Sequence, residues 1–136
     1  MNSDVYFNEE DEPDVMLNDV TNAIIGAGIA VNSELGPGYS EDVYEEALAV
    51  EFMRREIKFV RQYRFEVKYQ GVVVGIGRVD FLVEDCVVVE LKAVEQFGSV
   101  HTAQVISYLR ALRLHLGILL NFNVKRMLDG VKRIAL

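Results

Sequence analysis

The chain has 136 residues and a formal net charge of −7, with 51% hydrophobic and 26% charged residues. That length suits one domain with a real core, and the balance is that of a globular chain rather than a disordered or collagen-like one. No apolar run approaches the roughly 18 residues needed to span a bilayer, and the start of the chain has neither the basic nor the apolar region of a signal peptide. We therefore expect no membrane partner. The single cysteine, Cys86, excludes an internal disulfide and fits a reducing cytoplasm, the expected location.

Residues 1–14 are acidic and read as a disordered tail ahead of a domain spanning 15–136. The tail is part of a wider asymmetry. Residues 1–53 hold 13 Asp and Glu and no Lys or Arg, whereas residues 54–136 hold 8 Asp and Glu against all 14 Lys and Arg, a net of +6. The acidic total thus does not exclude a phosphate-bearing partner for the second part. From Asp14 to Leu35, apolar residues recur at helical spacing, and Gly36-Pro37-Gly38 stops the run. Ser40 is a plausible N-cap for a second helix reaching about Arg55, with Glu41 and Asp42 favourably placed in its first turn. The period then changes. Phe59 to Tyr69 reads as a strand, Gln70-Gly71 as a turn and Val72 to Ile76 as the returning strand. Arg78 to Glu84 reads as a third strand, turning at Asp85 into a fourth, Val87 to Lys92. Ser99 is a candidate cap for a helix to about Arg113. Leu116 to Asn121 follows as a short strand, with Val131 to Ile134 as a further candidate. The expected fold is α/β, a mixed four- to five-stranded sheet flanked by helices.

The chemistry concentrates in the segment from Arg78 to Lys92. Alternation along a strand puts Val79, Phe81, Val83, Val87, Val89 and Leu91 on one face, all apolar and therefore core. The other face carries Arg78, Asp80, Leu82, Val88, Glu90 and Lys92, with its charges gathered at the end away from the turn. A turn about Asp85 sets Asp80 opposite Glu90, with Cβ atoms roughly 4.5–5.5 Å apart. Two carboxylates that close repel unless something positive lies between them. One solution is a surface ion-pair cluster with Lys92 and Arg78, a common arrangement of little energetic worth. The other is a hard divalent cation, Mg²⁺ or Mn²⁺, held by Asp80, Glu90 and the carbonyl of Leu91, with Lys92 stabilising developing charge on a phosphate.

Asp80…Glu90-Leu91-Lys92 resembles the D…(D/E)xK signature of PD-(D/E)XK nucleases, although Val79 stands where that signature has Pro. Gly38-Tyr39-Ser40-Glu41-Asp42-Val43-Tyr44 resembles the Gly-x-x-Glu-x-x-Tyr signature of the small bacterial GxxExxY proteins of the same superfamily. Glu34 to Gly38, Tyr44 to Leu48 and Leu120-Asn121-Phe122-Asn123 resemble them too. The resemblance implies a restriction-endonuclease-like core and a metal-dependent nuclease acting on DNA more readily than RNA. It adds an acidic metal-site residue at Glu41, with Glu45 one turn on as the fallback. Gln104-Val105-Ile106-Ser107-Tyr108 is similar to the Gln-x-x-x-Tyr motif of RecB-type exonuclease domains. That likeness implies that Gln104 and Tyr108, on one helix face, join Lys92 in the catalytic set.

Arg54, Arg55, Lys58, Arg61 and Arg64 form a basic run that could follow phosphates or simply be a solvated face. Lys125, Arg126, Lys132 and Arg133 form another. His101 could line the cleft one turn before Gln104, but it reads more readily as structural, as do His115 and Cys86. A chain this small offers little surface to grip a duplex, which is compatible with a homodimer. The alternative to an enzyme is a catalytically inactive nuclease-fold module that binds nucleic acid or protein.

Overall fold

The computed structural model describes residues 11–136, with side chains from Met16 onward. Its elements are α1 (Asp11–Leu35), α2 (Glu41–Arg54), β1 (Phe59–Tyr69), β2 (Val72–Val83), β3 (Val87–Lys92), α3 (Ser99–Leu112), β4 (Leu116–Asn121), a 3₁₀ turn (Met127–Gly130) and β5 (Val131–Ala135). The first ten residues of the expected tail lie outside the described residues. The chain is already helical at Asp11, ahead of the predicted Asp14, so residues 11–14 of the expected tail belong to α1.

The five strands form one sheet in the order β1-β2-β3-β4-β5. All neighbours are antiparallel except β3 and β4, which run parallel and are joined through α3. Both central strands, β3 and β4, are covered on their two faces and read as near-continuous apolar runs. On one face α1 and α2 contribute Ile24, Ala27, Val31, Tyr44, Leu48 and Phe52 to a core with Phe81, Val83, Val87, Val89, Leu91 and Ile118. On the other, Val105 and Leu109 of α3 pack against Val79, Leu82, Val88 and Leu119. No helix among the described residues is long and apolar enough to cross a membrane.

Three predicted features differ. The strands expected at Val72–Ile76 and Arg78–Glu84 are one strand, β2. Gly75 and Gly77 look like breaks in the sequence, but Gly77 pairs with Phe65, and the Phe65 ring lies over it where a Cβ would stand. The cap of α3 is Gly98 rather than Ser99, and its N–H donates to His101 Nδ1 at 3.1 Å. Finally, Val79 does not share a face with Phe81: it lies in the α3 core while Phe81 lies in the opposite one. The strict alternation breaks at Asp80. The register runs Arg61↔Phe81 and then Tyr63↔Val79, and Gln62, opposite Asp80, has a φ of 51°. Phe59 and Phe65 of β1 divide between the two cores in the same way, so both strands change face at this step.

Replacing Gly77 by Ala forces a methyl into the Phe65 ring, an overpacking expected to cost about 1–3 kcal/mol. Urea unfolding should show this loss, and should show it shrinking when Phe65→Ala is made in the same chain.

Candidate active site

The β2–β3 ladder starts at Val83↔Val87 and ends at Phe81↔Val89. The next pair would be Asp80 and Glu90, and there the ladder gives way to side chains. The Asp80 N–H donates to Glu90 Oε2 at 2.6 Å, and the Leu91 N–H donates to Asp80 Oδ2 at 2.8 Å. Each carboxylate thus replaces a backbone carbonyl of the neighbouring strand, and the gap between strands is closed by two reciprocal bonds. The expected direct Asp80–Glu90 ladder pair is corrected to this side-chain clasp. Its cause is the face change at Asp80, which takes the strand out of register. With β2 diverging, Arg78 is likewise not a ladder partner of Lys92. The Leu91 N–H points into the split, and in an extended strand the carbonyl of the same residue points the same way.

The clasp is electrostatically expensive. Glu90 is only 5% exposed. Burial, and then the neighbouring Asp80 charge, push its carboxyl up to about 8, against the opposing Asp80 N–H and Lys92 charge; Glu41 pushes the same way as burial. Burial also raises Asp80, with Glu45 adding to it, while the Leu91 N–H, Gln62 and Lys92 oppose. Neither carboxylate has an ion-pair partner among the described residues. Each keeps one oxygen outside the clasp, Oε1 of Glu90 and Oδ1 of Asp80, and Gln62 Nε2 donates to the latter at 3.4 Å. Two desolvated, mutually repelling carboxylates with free oxygens suit a hard divalent cation, which takes one or two carboxylates and fills its remaining positions with water or phosphate oxygens. Among the described residues no three His, Cys, Asp or Glu side chains converge closely enough to hold a metal by themselves.

The other predicted residues gather to different degrees. Lys92 is half-buried, and its charge acts on both carboxyls. Glu41, exposed in the first turn of α2, reaches Glu90 by charge but does not complete a three-acid cluster. Glu45, the fallback, accepts from Arg61 at 2.9 Å and from Gln62 at 2.8 Å. Tyr108, on α3, lies within reach of the Glu90 and Asp80 charges, and Gln104 precedes it by one turn on the same helix. Burial and then the Glu90 charge push the Tyr108 hydroxyl up, while the neighbouring Gln104 amide opposes. The Tyr108 ring meets Phe65 edge to face at 5.3 Å.

The basic run does not form one free strip. Arg55 pairs with Glu51 at 2.6 Å, Lys58 with Asp85 at 2.7 Å and Arg61 with Glu45 and Glu46 at 2.9 and 2.8 Å. Arg54 is exposed at the end of α2. Arg64 lines an open groove of about 310 Å³ with Ile76, Gly77, Arg78 and Tyr108. In the second basic run, Lys132 donates to Thr102 and Arg133 to Asn18.

Sequence reading overlooked two residues here. Gln62 bridges Glu45 and Asp80, and nothing in the alternating run around it signals the left-handed backbone that puts it there. Asn121, 3% exposed, accepts from Val94 N–H and donates to Val94 carbonyl at 3.1 and 2.7 Å, fixing the loop that follows Lys92. A polar residue closing an apolar strand was its visible signal.

The raised Glu90 carboxyl has a consequence for stability. Its folded value lies near 8 and its ordinary value near 4.5. The metal-free fold is therefore favoured most below the ordinary value and loses stability as pH rises toward 8, because the unfolded chain ionises this group first. Glu90→Gln keeps an acceptor for the Asp80 N–H and removes the charge. Without metal, it should melt above wild type at pH 8.5, with the difference shrinking toward pH 5.5. A gap independent of pH would contradict this electrostatic account.

A solved structure, the crystal structure of SSO0001, aligns with a TM-score of 0.49 and 17% identity over 85% of this chain, which spans 65% of that one. No curated protein matches the chain. The family model described as PD-(D/E)XK nuclease superfamily matches residues 18–134, which include most of α1, all of α2, the clasp and α3. The chain belongs to the PD-(D/E)XK nuclease superfamily.

Proposed function

We propose that this chain is a divalent-metal-dependent nuclease that hydrolyses phosphodiester bonds, with Mg²⁺ or Mn²⁺ at Asp80 and Glu90 and with DNA rather than RNA as substrate. The observation that carries this reading is the clasp: two desolvated carboxylates without a cation partner, beside a lysine that neither one pairs with. A bound divalent cation supplies charge neutralisation and Lewis acidity at the phosphate. Asp80 and Glu90 hold it, and the Leu91 carbonyl, directed into the same split, is a third oxygen donor. Lys92 extends its ammonium to the non-bridging phosphate oxygens and stabilises the charge that grows there. Gln104 orients the phosphate or the attacking water by donating to it, and Tyr108 closes the side of the cleft. Arg64 and Arg54, which have no ion pair among the described residues, are the members of the first basic run best placed to meet the nucleic-acid backbone.

The Gly38, Glu41 and Tyr44 spacing supports placing the chain among the GxxExxY proteins, with a cytoplasmic site of action. A second copy would supply a second clasp for the other strand of a duplex, and sedimentation with and without duplex DNA measures that directly. The three ion-paired members of the basic run and the net charge of −7 support a second reading, a nuclease fold kept as a binding module.

Assays on supercoiled, linear and single-stranded DNA with Mg²⁺ or Mn²⁺ separate the two readings. Wild type should cleave and lose activity with chelator. Asp80→Asn should lose metal-dependent cleavage, and Lys92→Ala should fall by on the order of 10²–10³-fold while still binding Mn²⁺. Equal cleavage by wild type and Asp80→Asn would assign the activity elsewhere, and metal-independent DNA binding without cleavage would favour the module.

A further inference from the structure

Tyr44 is wholly buried in α2, yet its hydroxyl is fully used. It donates to the Gly36 carbonyl at 2.6 Å and accepts from the Tyr39 N–H at 3.2 Å. Both partners lie in the short connection between α1 and α2, whose backbone runs through positive φ at Gly36 (65°) and Gly38 (119°). Without an internal ladder, such a connection has few ways to satisfy its own polar groups. The Tyr44 hydroxyl therefore joins its two ends. Ser40, the N-cap of α2, makes no side-chain cap bond. Glu41 is the first residue of that helix, so the connection sets where it begins.

The ring of Tyr44 reaches the site from the opposite direction. It stacks on Phe122, with centroids 4.8 Å apart and planes 9° from parallel. The Phe122 N–H donates to the Lys92 carbonyl at 2.9 Å. Phe122 is itself anchored, because Asn32 Nδ2 donates to its carbonyl and to that of Val124. One side chain thus touches the connection that presents Glu41 and the residue that holds the backbone of Lys92.

We infer that Tyr44 is a positioning residue: its hydroxyl braces the connection from which Glu41 opens α2, and its ring fixes that connection to the end of β3. The inference rests on the metal-site reading above and assigns to Glu41 a contribution through the field and waters of a bound cation. The spacing of Gly38, Glu41 and Tyr44 then has a physical reason. Glycine supplies the left-handed turn, Glu41 the charge, and Tyr44, one helical turn on, the bracket that returns to the connection.

Titration of the full chain with Mn²⁺, followed by calorimetry and by the signal of free Mn²⁺, tests this beside thermal melts. Tyr44→Phe keeps the ring on Phe122 and removes only the hydroxyl. It should weaken Mn²⁺ several-fold, about as much as Glu41→Gln does. The double variant should be no weaker than Glu41→Gln alone, because a residue that acts through Glu41 has nothing left to position. A general loss of stability would instead lower the melting temperature without this non-additivity. Should Tyr44→Phe not fold, Gly38→Ala strains the same connection from outside the core and carries the same expectation. Wild-type Mn²⁺ affinity in Tyr44→Phe, or additive losses in the double variant, would overturn the positioning role alone. Absence of Mn²⁺ binding by wild type would overturn the metal site and this inference with it.

Discussion

The reciprocal exchange between Asp80 and the Glu90–Leu91 segment is the constraint around which the rest of the molecule is arranged. A sheet ordinarily holds its strands together by backbone pairs. Here the two bonds after Phe81↔Val89 are made by carboxylates, which lets the strands part and leaves oxygens facing into the opening. The arrangement removes two acids from water and sets them against each other, and the fold carries that cost in its metal-free state. Core packing on both faces of β3 and β4 offsets it. Those strands are buried along almost their whole length, and they hold Glu90, Lys92 and Asn121 on a rigid frame.

The surroundings work by distributing charge rather than by pairing it. Lys92 lies close enough to moderate both carboxyls without forming an ion pair with either. Glu45, which would add to the repulsion at Asp80, is occupied by Arg61 and Gln62. Arg61 thereby contributes by absorbing a neighbouring negative charge. This explains how a residue with the composition of a phosphate contact serves the interior of the molecule.

Much of the layout was legible because it follows from period and punctuation. The helical spacing from Leu17 to Leu35, the stop at Gly36-Pro37-Gly38 and the apolar run of β4 each obey one local rule. Asp80, Glu90 and Lys92 were legible because charges that interrupt an apolar hairpin need a reason to be there. The failures have a shared origin. The extra strand boundary falls at Gly77, whose missing side chain makes room for Phe65 across the pair. The misplaced face of Val79 came from assuming strict alternation through a residue where Gln62 adopts a left-handed backbone. Both depend on the partner strand, which one-dimensional patterning does not contain. The basic run misled for the same reason, since its acidic partners come from α2 and from the turn at Asp85.

The distortion at Gln62 has a further effect, on the outer side of the molecule. β1 is an edge strand, and the apolar Val72, Val74 and Ile76 of its hairpin partner are exposed. A long flat hairpin of that kind is a template on which another chain could add a strand. β1 is neither flat nor regular: its register slips between Val67 and Lys68, and its backbone turns through positive φ at Gln62. The row of outward N–H and C=O groups is broken twice within eleven residues. The irregularity that shapes the acidic centre thus also roughens the border of the sheet, so that protection from runaway strand addition and the opening beside Asp80 are served by one departure from ideal geometry.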